Sequence, residues 1–130
     1  MSEKHSLRTP LGRVRNLGSA KSGTTDFWRQ RVTAVATALL TLPVIFIVLA
    51  TARSNHAGTA QILGSPLVAI LLALFIVASA IHMKIGMQVI IEDYVHDEKL
   101  KLAAIVANVF FTAIVTFASL YAIFKLSSGV

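Results

Sequence analysis

The sequence predicts an all-α membrane protein of three transmembrane helices preceded by a basic tail. Three observations predict it. The chain of 130 residues is 55% hydrophobic and only 14% charged, too little charge to cover a soluble domain of this size. Its apolar residues gather into long runs instead of recurring periodically. Each run is close to the ~20 residues that a helix needs to cross a bilayer core.

Residues 1–26 form the tail and residues 27–130 the anchor domain, with helices expected over about 27–53, 65–93 and 100–126. The tail holds Lys4, Arg8, Arg13, Arg15 and Lys21 among Ser, Gly and Thr. Such a stretch is expected to be extended or disordered unless a partner orders it. It lacks the short apolar core and small-residue cleavage site of a secretory signal. Asp26 is the expected N-cap of the first helix. The first apolar run, Val32 to Thr51, contains Pro43, which removes one backbone donor and should bend the helix. Arg53 to Gly64 reads as a polar connection, and Pro66 suits the first turn of the next helix. The second run, Leu67 to Ile91, is interrupted only by His82, Lys84 and Gln88. Glu92 to Lys101 is a charged turn, and the third run, Leu102 to Phe124, carries no charge.

Most of the basic residues precede position 32, beside the first span, and Lys99 and Lys101 follow the second. Arg53 and Lys125 alone mark the opposite side. The positive-inside rule therefore places the N-terminus in the cytoplasm. The net charge of +6 is read as a topology signal and as contact with anionic membrane lipid. No nucleic acid is expected as a partner, because no base-stacking pattern accompanies the charge. The chain has no cysteine, which excludes disulfides, cysteine catalysis and cysteine-held iron–sulfur clusters within it. Three helices enclose neither a pathway nor a pocket easily, so a partner protein is expected. Small residues such as Ala34, Ala78, Gly86 and Ala104 would allow close helix approach.

Ionisable groups at membrane depth are costly and therefore candidates for function. His82 is the deepest of them. Gly86, Val89 and Asp93 share its side of the helix, with Asp93 about 16 Å further along. A neutral imidazole nitrogen can ligate haem iron, and Gly86 would leave room for a flat macrocycle. The same histidine could instead simply hydrogen-bond a neighbouring helix. Lys84 points about 200° away and should snorkel to the interface. Tyr94 fits a boundary anchor and equally a phenol that, beside Asp93, bonds a quinone carbonyl. Arg31 could pair with an anionic group at the same boundary.

The stretch His82-Met83-Lys84-Ile85-Gly86-Met87-Gln88-Val89-Ile90-Ile91-Glu92-Asp93-Tyr94-Val95 resembles a known pattern, as does Trp28-Arg29-Gln30-Arg31-Val32-Thr33-Ala34. With the three-helix layout, they are similar to the small hydrophobic membrane anchor of succinate dehydrogenase, in its alphaproteobacterial or mitochondrial branch. The resemblance spans essentially the whole chain and is most specific from His82 to Tyr94. It implies a non-catalytic member of succinate:ubiquinone oxidoreductase (respiratory complex II) that contributes to the quinone-reduction site. His82 would be one axial iron ligand of haem b, shared with a second membrane anchor that supplies the other histidine. Arg31 and Gly86 would belong to the haem propionate region and pocket. Asp93 and Tyr94 would bind ubiquinone. A flavoprotein subunit and an iron–sulfur subunit would sit on the same side. The bacterial cytoplasmic membrane is the expected location, ahead of the mitochondrial inner membrane. The competing reading is a non-redox structural or assembly protein whose histidine only packs.

Overall fold

The computed structural model of the chain describes residues 22–129. They form α1 (Ser22–Ala52), α2 (His56–Gly64), α3 (Pro66–Tyr94) and α4 (Glu98–Ser128), with no strand among them. Three of these, Gly23–Ala52 within α1, Pro66–Tyr94 and Glu98–Ser128, are long and apolar enough to cross a membrane. At 29 residues, α3 is about 44 Å long, so it must tilt or project beyond a core of about 30 Å.

The ends follow local chemistry. Asn55 caps α2 by accepting from the Gly58 N–H at 2.8 Å. Asp97 does the same for α4 through the Leu100 N–H at 2.8 Å. Pro66 stands in the first turn of α3, as the sequence predicts. Gly129 ends α4 with φ 69°, a left-handed cap that glycine adopts without Cβ strain. Pro43 lies inside α1.

Three expectations change. First, α1 is already helical at Ser22, so Asp26 lies within it and does not cap it. A single Gly23 near a helix start costs only about 1 kcal/mol, and Asp26 falls in the second turn, so the first turn carries no acidic side chain. The rest of the basic tail lies outside the described residues. Second, the connection after α1 contains a nine-residue helix, α2. Third, α4 starts at Glu98 because Asp97 caps it there.

The helix α3 is the middle of a layer. It packs against α1 on one side and α4 on the other, while no Cα atoms of α1 and α4 come within 8 Å of each other. The short α2 closes one end by touching all three. Two small residues on α3, Ala69 and Ala78, are buried, and most large apolar side chains remain exposed. That exposed surface is what lipid or further protein chains would cover.

Candidate functional site

The crossing of α1 and α3 surrounds His82. Its Nδ1 is 3.2 Å from the Gln30 carbonyl oxygen and 3.4 Å from Thr33 Oγ1. A carbonyl only accepts, so Nδ1 must carry the proton. The Thr33 hydroxyl donates its own hydrogen to the Arg29 carbonyl at 2.6 Å, leaving its oxygen to accept from His82. With the proton on Nδ1, the neutral form of the ring carries its lone pair on Nε2. Nε2 has no hydrogen-bond partner among the described residues, and His82 as a whole is half-buried. A backbone carbonyl holding the distal N–H is the usual support of a metal-ligating histidine. The donor set thus fits an axial ligand to a haem iron. Among the described residues no three His, Cys, Asp or Glu side chains converge.

Gly86 faces the same crossing. A Cβ placed there would stand 3.3 Å from Gln30 Nε2. Within this chain the room left by Gly86 is therefore taken by the Gln30 side chain. The Gln30 Oε1 is buried without a partner.

The next residue, Arg31, turns to Phe27. Its guanidinium lies 4.6 Å from the centre of the Phe27 ring, a cation–π contact. It lines a groove of 420 Å³ between α1 and α3, with Phe27, Gln30, Val89 and Glu92. Glu92 accepts from Gln88 Nε2 at 2.8 Å. On the other side of α1 a second groove of 540 Å³ runs past Trp28, Arg29, Thr33 and Lys84. Asp93 and Tyr94 stand at the end of α3, both exposed, Tyr94 by 77%. Twelve positions separate His82 from Tyr94, about 18 Å along the helix. The structure thus joins His82, Gly86, Gln30 and Thr33, and leaves Asp93 and Tyr94 as a separate, open pair.

Two participants escaped the sequence reading. The hydroxyl of Thr33, only 9% exposed, touches His82. Asn108, 8% exposed, donates through Nδ2 to the Lys84 carbonyl at 2.9 Å. A lone amide in the apolar run of α4 was the available signal, since polar side chains in spans usually face neighbouring helices.

Comparison with known proteins places these residues in context. The chain matches the family described as succinate dehydrogenase/fumarate reductase transmembrane subunit over residues 5–116. It is 36% identical to the succinate dehydrogenase hydrophobic membrane anchor subunit of Paracoccus denitrificans over 124 residues, 93% of each chain. It is 32% identical to the protein of that name from Rickettsia bellii (strain RML369-C), covering 92% of this chain and 96% of the relative. The protein of that name from Rickettsia conorii (strain ATCC VR-613 / Malish 7) is 30% identical with the same coverage. No solved structure matches.

Proposed function

The chain belongs to the succinate dehydrogenase/fumarate reductase transmembrane subunit family, and on that premise we propose that it anchors a succinate:ubiquinone oxidoreductase in the bacterial cytoplasmic membrane. It is a subunit without the succinate-oxidising site. Its N-terminus faces the cytoplasm, where a flavoprotein and an iron–sulfur protein dock, and a second membrane anchor packs beside it. The observation that carries the reading is the placement of His82 Nδ1 against the Gln30 carbonyl and the Thr33 hydroxyl, an arrangement that supports Nε2 as the ligating atom.

When bound, haem b would supply a redox-active iron, and His82 would be one of the residues holding it, through Nε2. Arg31 offers the propionates a cation in the α1–α3 groove, and Gly86 belongs to the pocket wall through the Gln30 side chain that rests on it. Ubiquinone is the substrate at the end of α3. There the Tyr94 hydroxyl donates to a quinone carbonyl, and the Asp93 carboxylate beside it takes part in proton delivery. The exposure of both residues supports a site completed by partner chains.

The alternative, an assembly protein whose histidine only packs, draws on the same Nδ1 contacts. Mild solubilisation of native membranes with a tagged chain separates the two. Copurification of a flavoprotein, a cysteine-rich iron–sulfur protein and a second small anchor, with a b-type haem spectrum, is the expected result. Recovery without them would leave only packing. For the quinone site, Tyr94→Phe should lower quinone reduction about tenfold, the scale of one lost hydrogen bond. Succinate oxidation by a soluble artificial acceptor should persist. Equal loss in both assays would mean failed assembly instead.

A further inference from the structure

The spanning helices share few polar ties, and those ties converge. Among the described residues, the side-chain hydrogen bonds joining α1, α3 and α4 are His82 Nδ1 with Gln30 and Thr33, and Asn108 Nδ2 with the Lys84 carbonyl. They reach α3 within three consecutive residues, and from the two helices that flank it. One turn of α3 is thus pinned on both sides, and His82 lies in that turn.

We propose that Asn108 is a positioning residue for His82: its bond to the Lys84 carbonyl fixes the rotation and depth of α3, and through them the point where Nε2 is presented. The inference rests on His82 being a haem ligand, as argued above. Asn108 is almost fully enclosed, and an enclosed amide without a partner is unfavourable. The bond therefore resists any rotation of α3 that would break it. A turn of α3 by about 10° would move a side-chain tip at the helix surface by about 1 Å. Displacements of that size alter the bond between an axial ligand and its metal.

The neighbouring turn of α4 supplies a control. Thr112 is 7% exposed on α4, and its Oγ1 has no partner. It shares the burial and polarity of Asn108 but ties nothing to α3 through its hydroxyl.

The test uses the complete complex purified from membranes, its haem read by electron paramagnetic resonance and by redox titration. Asn108→Leu should retain haem and succinate oxidation by a soluble acceptor, with a shifted low-spin signal and a shifted midpoint potential. Asn108→Ala, which removes the amide without adding bulk at the contact, should give a shift in the same sense. Thr112→Val should match the wild type. Wild-type signals in both Asn108 variants would overturn the proposal, as would an equal shift in Thr112→Val. Failure of both Asn108 variants to assemble, with Thr112→Val intact, would also overturn it in favour of a purely structural role. His82→Leu measured alongside distinguishes the two levels. Haem retained in His82→Leu removes the ligand reading itself. Haem lost there, with unchanged Asn108 variants, removes only the positioning role.

Discussion

The two ends of α3 are built on different principles. At the end that meets the start of α1, polar groups set the geometry: Gln30 and Thr33 hold His82, and Gln88 bonds Glu92. Two grooves open there, of 420 and 540 Å³. At the opposite end, Pro66, Ala69, Ile70 and Ala73 of α3 and Leu120, Ile123, Phe124 and Ser127 of α4 line an apolar groove of 280 Å³. Among the described residues no side-chain hydrogen bond joins α3 to α4 there, and α2 closes that end, with the Thr59 hydroxyl donating to the Thr51 carbonyl of α1 at 3.3 Å. A Cβ on Gly64 would stand only 3.1 Å from the Leu126 carbonyl oxygen. Directional bonds fix where a reactive atom points, whereas small residues fix only how near two helices come. The polar end is therefore where chemistry belongs, and the apolar end is where the bundle is closed.

Substitutions at the two ends should then fail in different assays. The largest effect is expected from His82→Leu. Leucine fills similar space but offers no lone pair, so the purified complex should lose its b-type haem absorbance or show a grossly altered spectrum. The cost to folding is small, on the order of 1 kcal/mol for the lost hydrogen bond. An unchanged haem spectrum in this variant would erase the contrast, because the polar end would then be packing only.

At the apolar end, Gly64→Ala gives the next largest effect. The atom it meets is backbone, part of α4, and cannot rotate away. Overpacking of this kind costs typically about 1–3 kcal/mol. The complex should be recovered in lower yield and lose activity at lower temperature, while the haem spectrum of the surviving fraction stays that of the wild type. A spectral change without a stability change would reverse the assignment of the two ends.

How much of this was legible in the sequence follows from the range of each interaction. The three spans were legible because a run of about twenty apolar residues has few other solutions. The role of Pro66 was legible from its own missing N–H. The helix α2 was not, since nine residues with Gly58 and several polar side chains show no period; the Asn55 cap was its one local sign. Asp26 looked like a cap only because the turn before it has no apolar residues. His82, Gly86 and Gln30 were visible separately, yet their meeting depends on how α1 crosses α3. No spacing along one helix encodes that crossing. The same limit hid Asn108, whose partner is a backbone carbonyl on another helix.

Gly86→Ala is the smallest change and the sharpest probe of the polar end. The new Cβ would meet Gln30 Nε2 at 3.3 Å, the far end of a flexible side chain. A few tenths of an ångström of movement relieve it. Alanine in a helix interior is also favoured over glycine by about 1 kcal/mol, which offsets the crowding. Thermal stability should therefore stay within about 1 kcal/mol of the wild type, and haem should be retained with a slight spectral shift as the Gln30 amide moves. Loss of haem from so mild a change would have one meaning. The space beside Gly86 would then belong to the macrocycle itself, with Gln30 displaced from it in the assembled complex, and the pocket wall would have to be redrawn one layer closer to α3.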